Sequence, residues 1–160
     1  MAAQYGKHEY WEDRYDKDKE PFDWYQRYEG LRDIITQFVK RDQCILNLGC
    51  GNSKLSEGMI KDGYKDIMNV DCSETVIKQM QDSYGEKMPE LKWKQADARN
   101  MKEDFEAGTF DAVIDKACFD AVLCGDYSGP NSKLFLSEVD RVLKDGGIYI
   151  SITYGVPEGR

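Results

Sequence analysis

The chain has 160 residues, of which 41% are hydrophobic and 32% are charged, and it carries a formal net charge of −8. This length and composition predict one globular domain with a sizeable core and exclude a disordered chain. The negative charge disfavours direct nucleic-acid binding, since phosphates would be repelled, and no apolar run approaches the ~20 residues of a membrane-spanning helix.

The N-terminal residues and the cysteines indicate the compartment. Residues 1–7 lack the apolar stretch of a secretory signal, and the acidic residues soon after them argue against a transit peptide. The cytoplasm is therefore the expected compartment, with the nucleus as an alternative. The cysteines are odd in number and have no CxxC spacing, so we expect reduced thiols and neither disulfides nor a metal site. They are Cys44, Cys50, Cys72, Cys118 and Cys124.

The first 27 residues are polar and aromatic, with weak periodicity. The charged run at 16–20 predicts an exposed loop between two aromatic stretches. A helix follows, because four apolar residues repeat at the i, i+3, i+4, i+7 spacing of one helical face. They are Leu31, Ile34, Ile35 and Phe38. We expect this helix to end before Arg41.

Apolar runs and helical patterns alternate through the rest of the chain. Short apolar runs predict five strands, at 44–48, 67–70, 91–95, 110–114 and 148–153. Helical spacing predicts four helices, which include residues 55–60, 76–84, 119–123 and 134–143. The last of them is expected to end at 145–147, and a glycine-rich loop is expected before it at 125–130. The expected fold class is therefore α/β, a Rossmann-like, doubly wound, mainly parallel sheet with helices on both faces.

The first predicted strand runs into a Gly-x-Gly turn. Gly49 and Gly51 let the chain turn sharply and let a ligand approach the backbone. About 20 residues later, Asp71 ends the second strand, where its carboxylate can accept hydrogen bonds from both ribose hydroxyls. This order predicts a nucleoside-binding corner. A dinucleotide site would have a third glycine where Lys54 stands, so a dinucleotide-binding protein is the less favoured alternative.

Charged residues also end the third and fourth strands. Asp97 can accept a hydrogen bond from an adenine amino group while the next backbone N–H donates to the ring, with a helix cap as the alternative role. Asp115 and Lys116 end the fourth strand, beside the first, where the reactive end of a cofactor should lie. Either could border the transferred group, and neutralisation of nearby carboxylates is the alternative role for Lys116.

Six segments together are far more specific than any one of them. They are YWEDRY at 10–15, FDWY at 22–25, LGCGNS at 48–53, VDCS at 70–73, DAR at 97–99 and DKA at 115–117. With this pattern the chain resembles the seven-strand, class I S-adenosylmethionine-dependent methyltransferases, in the group that includes lysine methyltransferases of elongation factor 1A. The resemblance covers essentially the whole chain. It implies one methyltransferase domain at 1–160, with an aromatic segment at 1–27 that covers the cofactor and a Rossmann-like core at 28–160.

The resemblance implies S-adenosylmethionine as the cofactor, S-adenosylhomocysteine as its product, and nine residues that bind it. These are Trp11, Tyr15, Trp24, Gly49, Asp71, Cys72, Asp97, Ala98 and Lys116. The three aromatic residues would fold over the cofactor, whose sulfonium is attracted to aromatic faces by about 0.5–2 kcal/mol. Gly49 would line the methionine portion of the cofactor, and Asp71 with Cys72 would bind its ribose. Asp97 and Ala98 would bind the adenine, and Lys116 would lie near the amino-acid end. Core packing is the alternative for the two tryptophans.

The chain departs from the family pattern in three places. Asn47 stands where many members carry an acidic residue that binds the cofactor's ammonium. The Asn/Asp-Pro-Pro-aromatic signature is missing after the fourth strand, which counts against methylation of nucleobases or glutamine. The class normally continues into two more strands and a substrate-binding segment, so we expect the C-terminal strands to be missing from this chain.

The resemblance implies that the substrate is a lysine on a protein, and elongation factor 1A is the candidate protein. No membrane partner is expected. The alternatives are a small-molecule methyltransferase and a non-catalytic domain that binds S-adenosylmethionine or a protein partner. No catalytic residue is assigned, because His8 is the sole histidine and is expected at the surface.

Overall fold

The computed structural model describes residues 4–156, and within them the predicted strands form one parallel sheet. The strands are β1 (Cys44–Leu48), β2 (Asp66–Asp71), β3 (Leu91–Gln95), β4 (Phe110–Lys116) and β5 (Leu143–Ile152). Their order across the sheet is β3-β2-β1-β4-β5, which confirms the predicted fold class. The order reverses between β1 and β4, and ligands of such sheets bind beyond the carboxyl ends of the strands at this switch point.

Six helices within residues 4–156 surround the sheet. They are α1 (His8–Lys17), α2 (Tyr28–Phe38), α3 (Leu55–Lys61), α4 (Glu74–Tyr84), α5 (Cys118–Leu123) and α6 (Ser128–Val142). In this part of the chain no helix is both long enough and apolar enough to cross a membrane.

The central strands are covered on both faces, which explains their nearly continuous apolar sequences. Neighbouring residues of a strand point to opposite faces. Ile45 of β1 packs in a buried cluster with Ile35 of α2 and Met59 of α3, whereas Leu46 packs in a second cluster with Phe135 of α6. Both β1 residues are fully buried. The sheet is therefore a rigid base for the residues at its carboxyl edge.

The structure shows a helix, α1, that the weak periodicity of the N-terminal segment did not predict. Trp11 and Tyr15 lie one turn apart on it, as neighbours on one helical face do. Tyr15 is buried in a third cluster with Val76, Ile77 and Met80 of α4. Contact with α4 therefore stabilises a helix whose own sequence is mostly polar.

Helix α2 confirms the predicted helix but buries a different face. Leu31 and Ile35 are buried as expected, whereas Ile34 and Phe38 are 51% and 50% exposed. Tyr28, one turn before Leu31, completes the buried face. The apolar spacing therefore predicted the helix correctly, but it placed the centre of the buried face about one residue too far along the chain. Packing against α3 and the sheet determines which residues are buried.

Two predicted boundaries near the C-terminal end were wrong. The loop expected at 125–130 ends earlier, because α6 begins at Ser128 and includes Pro130 in its first turn. A proline there costs little, since the first N–H groups of a helix have no partner within it. The same helix ends at Val142 and not at 145–147, because Leu143 already pairs with Phe110 of β4.

Glu12 joins α1 to the start of α4. One carboxylate oxygen accepts a hydrogen bond from the Glu74 N–H at 2.7 Å, and the other accepts from the Ser73 hydroxyl at 3.1 Å and the Thr75 N–H at 3.3 Å. These N–H groups lack partners inside the helix, and a negative charge is favourable at its N-terminus. Burial alone would raise the pKa of Glu12, but hydrogen bonds from Thr75, His8, Glu74 and Ser73 hold that pKa at about 2.

The contribution of Glu12 to stability should depend on pH. Its pKa is lowered from 4.5 to about 2 in the folded chain, so the stabilisation is present above about pH 4.5 and is lost as the pH falls towards 2. We expect Glu12→Gln to have a lower free energy of unfolding than the wild type near neutral pH. The difference between the two proteins should shrink as the pH falls from 4.5 towards 2. Urea unfolding across this range measures the difference. Glu9→Gln, on an exposed position of the same helix, is the control and should show no such convergence.

Candidate functional site

The turn after β1 requires both of its glycines. Gly49 and Gly51 have φ of +61° and +49°, in the region that side chains disfavour. A Cβ on Gly49 would lie 2.4 Å from the Cβ of Cys118, and one on Gly51 would lie 2.5 Å from the hydroxyl of Tyr15. The turn is therefore held between α5 on one side and α1 on the other, with its backbone facing the space between them.

Gly49→Ala should destabilise the chain by about 3 kcal/mol, because a left-handed backbone costs about 1–2 kcal/mol and an overpacked contact about 1–3 kcal/mol. Gly108→Ala separates the two effects. Gly108 has a similar φ of +65°, and a Cβ there would meet no atom within 4 Å. We expect about 1–2 kcal/mol for this control, from the backbone alone. Equal losses of unfolding free energy in the two variants would contradict the close contact with Cys118.

Asp71 lies at the carboxyl end of β2, directly beside this turn, and is only 6% exposed. One of its oxygens accepts a hydrogen bond from the Gly51 N–H at 2.9 Å, and the other accepts from the Ser73 N–H at 3.0 Å. Burial raises the pKa of Asp71, and these two donors oppose the rise. The Cys72 thiol is a third donor to this carboxylate, so of about four acceptor positions one remains for a hydroxyl group in the pocket.

The end of β3 forms the next part of the wall. Here Asp97 accepts hydrogen bonds from the Arg99 N–H at 2.9 Å and from its guanidinium at 2.6 and 2.9 Å. Burial would raise the pKa of Asp97, but the hydrogen bonds from Arg99 lower it overall. Ala98 between them is buried. Asp97 is therefore fixed in position by Arg99, and it presents a carboxylate that is already partly satisfied.

Aromatic residues of the N-terminal segment lie over the pocket. The Trp11 indole N–H donates to the Tyr5 carbonyl at 2.7 Å, and the Trp11 ring stacks on Tyr15 with centroids 6.0 Å apart. The Trp24 ring packs edge-on against Tyr5, and the Arg14 guanidinium lies 5.7 Å from the Trp24 centroid. These contacts make one connected aromatic cover. Core packing, the alternative for the tryptophans, is part of the role of Trp11, which packs against the cluster of Tyr15 and α4.

A buried ion pair fastens this cover to the sheet. The Lys116 ammonium at the end of β4 lies 3.2 Å from an Asp23 oxygen, and it donates to the Trp24 carbonyl at 3.0 Å. The two charged side chains are 4% and 9% exposed, and the Ser53 hydroxyl donates to the same Asp23 oxygen. Burial lowers the pKa of Lys116, while Asp23 opposes that shift. The geometry supports the neutralising role that the sequence left as an alternative for this lysine.

Asn52 provides a second attachment. Its amide N–H donates to the Glu20 carbonyl at 2.8 Å, and its amide oxygen accepts from the Phe22 N–H at 3.1 Å. Asn52 directly follows the Gly-x-Gly turn, so one side chain ties the turn to the backbone of the covering segment. The position of the cover and the shape of the turn are therefore coupled.

All nine residues predicted to bind the cofactor line a single pocket at the switch point. They are Trp11, Tyr15, Trp24, Gly49, Asp71, Cys72, Asp97, Ala98 and Lys116. A free acceptor position on Asp71, a close-approach glycine backbone and an aromatic wall fit a nucleoside that carries a sulfonium.

Other residues that line the pocket were not predicted. They include Tyr5, Arg14, Asn52, Arg99 and Cys118. Arg14, Asn52 and Arg99 lie inside the sequence segments that carry the family resemblance, so that signal could have found them. Tyr5 and Cys118 had no comparable signal, because their place depends on how α1 and α5 pack.

Two residues considered beside the pocket have other partners. Asp115, on β4 itself, does not line the pocket and is fully buried. It accepts hydrogen bonds from the Phe119 N–H and from the hydroxyls of Tyr149 and Ser151, each at 3.0 Å. Burial raises its pKa to about 6. The expectation that Asp115 could border a transferred group was wrong, since it holds α5 and β5 together instead.

Asn47 does line the pocket, but its amide N–H groups point to buried neighbours. They donate to the Ser56 hydroxyl at 2.9 Å and to the Asn69 side-chain oxygen at 3.1 Å. Ser56 donates to the same Asn69 oxygen at 2.5 Å. This network joins β1, β2 and α3 with neutral groups, where an acidic residue would require a cation.

Comparison with known proteins agrees with this geometry. Residues 46–151 match the family model described as "Methyltransferase domain". The mouse "eEF1A lysine and N-terminal methyltransferase" is 37% identical over 155 residues, which is 95% of this chain and 22% of that protein. The mouse "EEF1A lysine methyltransferase 4" is 35% identical over 167 residues, which covers 98% of this chain and 64% of that protein. The chain thus spans less than two thirds of the length of these relatives.

Among solved structures, the PH0226 protein of Pyrococcus horikoshii superposes with a TM-score of 0.68 and 24% identity. The match covers 87% of this chain and 64% of that one, and it independently supports the fold. With a family model that extends from β1 to β5 and relatives that match nearly the whole sequence, the chain belongs to the methyltransferase-domain family.

Proposed function

We propose that this chain is the catalytic domain of an S-adenosylmethionine-dependent methyltransferase. The observation that carries the proposal is the order of groups along the carboxyl edge of the sheet. One pocket under an aromatic cover contains the glycine turn after β1, the buried carboxylate of Asp71 at the end of β2, and Asp97 with Ala98 after β3. In this proposal Gly49 lines the methionine portion, Asp71 binds the ribose, and Asp97 with Ala98 binds the adenine.

The covering segment at 1–27 has a distinct role in this proposal, in which residues 28–160 are the core of the domain. Of this cover, residues 1–3 lie outside the described residues. S-adenosylmethionine, when bound, supplies a methyl group on a positively charged sulfur. Trp11 and Trp24 offer aromatic faces to that charge, and the segment that Lys116 and Asn52 hold in place excludes water from it.

The proposed acceptor is a lysine amine on a protein, with elongation factor 1A as the candidate. Support comes from the relatives, which are named for elongation factor 1A lysine methylation and match 95% and 98% of this chain. The net charge of −8 favours a basic partner. All five cysteines are free thiols, as a reducing compartment would keep them, and this supports a cytoplasmic enzyme.

A lysine must lose a proton before it can attack, because its free pKa is about 10.4. His8 lies at the rim of the pocket, where its ring is hydrogen-bonded to Glu12 at 3.1 Å. Its side chain is 49% exposed, as expected for a surface histidine, and no residue is assigned as a base. Water at the pocket mouth is the proposed proton acceptor. The residues of the chain act mainly by positioning and desolvating the two reactants.

Calorimetry with S-adenosylmethionine, S-adenosylhomocysteine and NAD tests the cofactor. We expect binding of both sulfur compounds and none of NAD; the reverse result would overturn the proposal. Transfer of a radiolabelled methyl group to purified elongation factor 1A, with the labelled residue identified by mass spectrometry, tests the substrate. Cofactor binding without transfer to protein, but with transfer to metabolites of an extract, would identify a small-molecule methyltransferase instead.

A further inference from the structure

Two tyrosines and an aspartate form a distinct cluster beside the pocket mouth. The Tyr25 hydroxyl donates to Asp120 at 2.7 Å, and the Tyr154 N–H donates to the same carboxylate at 2.9 Å. The two rings stack with centroids 6.4 Å apart and planes at 29°. We call Tyr25, Asp120 and Tyr154 the aromatic shelf. It joins the covering segment, the first turn of α5 and the chain just after β5.

The aromatic shelf adjoins the pocket on two sides. Trp24 and Ala121, the chain neighbours of Tyr25 and Asp120, both line the pocket. The Trp24 and Tyr25 rings lie 6.3 Å apart. The shelf is thus continuous with the end of the pocket where Lys116 lies, the end that the family resemblance assigned to the amino-acid portion of the cofactor.

The shelf also stores strain and exposes apolar surface. Tyr25 has φ of +62°, a conformation that costs a non-glycine residue about 1–3 kcal/mol and that clusters at functional sites. Tyr154 is 85% exposed and Tyr25 is 40% exposed. Core packing therefore does not explain the strained position of Tyr25.

We propose that the aromatic shelf receives the side chain of the substrate lysine and guides it to the pocket. This inference rests on the proposed function, of which it names the substrate-binding residues. A lysine side chain has an apolar stem and a cationic end, and the shelf offers tyrosine faces beside a carboxylate. The nearby Lys116 ammonium does not oppose this, because it is 4% exposed and paired with Asp23.

A pair of peptides tests the shelf directly. With S-adenosylhomocysteine present, acetyl-Gly-Gly-Lys-Gly-Gly-amide and its norleucine analogue are titrated against the full chain, and the tyrosine ring signals are followed by NMR. We expect the lysine peptide to bind about three- to fivefold more tightly than the norleucine peptide, as one exposed cation–π contact predicts. It should shift the ring signals of Tyr25 and Tyr154. Equal affinities, or no binding of either peptide, would overturn the proposal.

Variants separate the shelf from the fold and from the cofactor site. Tyr154→Leu keeps an apolar side chain. Asp120→Asn keeps the oxygen that accepts from Tyr25 and Tyr154, and its amide N–H can donate to the Thr153 hydroxyl, which donates to the other oxygen of Asp120. Each variant should therefore retain the fold while removing the preference for lysine over norleucine. Phe38→Leu is the control, because Phe38 is 50% exposed at the end of α2, away from the carboxyl edge. Affinity for S-adenosylhomocysteine, measured by calorimetry, should stay within about twofold in all three.

The proposed function and the role of the shelf can be contradicted independently of each other. Lysine-selective binding by a chain that does not bind S-adenosylhomocysteine would contradict the proposed function and leave the shelf as a lysine-binding surface. Normal cofactor binding with an unchanged lysine preference in Tyr154→Leu would contradict the shelf alone.

Discussion

Asp71→Ala is expected to weaken the binding of S-adenosylmethionine by at least about tenfold, which corresponds to 1.4 kcal/mol. Hydrogen bonds to a charged group contribute about 1.5–3 kcal/mol each, and one acceptor position of this carboxylate remains for the ribose. The side chain is only 6% exposed, so water would compete little with the ligand. Calorimetry of the variant measures the loss.

The change also removes the acceptor for two backbone donors. The N–H groups of Gly51 and Ser73 would lose their partner, so part of the effect could come from a loosened turn. Asp71→Asn keeps one acceptor oxygen and therefore only one of these two backbone contacts, so the free energy of unfolding of both variants is measured to show how far the turn has loosened. Asp66→Ala, at the opposite end of β2 where Asp66 pairs with Lys92, is the matched control and should bind normally. An unchanged affinity in Asp71→Ala would remove its ribose role.

The strands and the glycine turn were predictable because their causes are local. β1 and the middle of β4 are buried on both faces, so most of the residues there are apolar. Gly49 has a positive φ and a neighbour at its Cβ position, so no other residue fits there. Asp71 follows from its place at the end of the next strand. A pattern within a few residues is enough to locate each of these.

The cover and its attachments were harder to predict because their causes are distant. Lys116 and Asp23 are 93 residues apart, and neither residue shows by itself that the other will be its partner. Helix α1 depends on contact with α4, and without that contact its polar sequence gives a weak pattern. The same limit explains the error for Asp115, whose partners Tyr149 and Ser151 lie on the last strand.

Lys116→Met is expected to destabilise the chain by about 3–5 kcal/mol, the usual cost of leaving one member of a buried ion pair alone. Asp23 would remain 9% exposed with the Ser53 hydroxyl as a partner but without a cation. The Trp24 carbonyl would lose its donor as well. Urea unfolding followed by tryptophan fluorescence measures the loss.

The double variant Asp23→Asn/Lys116→Met decides whether the pair stabilises the fold or mainly positions the cover. It removes the uncompensated charge and should recover most of the lost stability, since neutral replacement of a buried pair is often close to neutral. Cofactor affinity should not recover with it, because the ammonium that anchors Trp24 is still missing. Recovery of both would show that any neutral packing closes the cover. Recovery of stability alone would make Lys116 a positioning residue, retained at the end of β4 to hold the aromatic segment over the cofactor and not for the stability of the sheet.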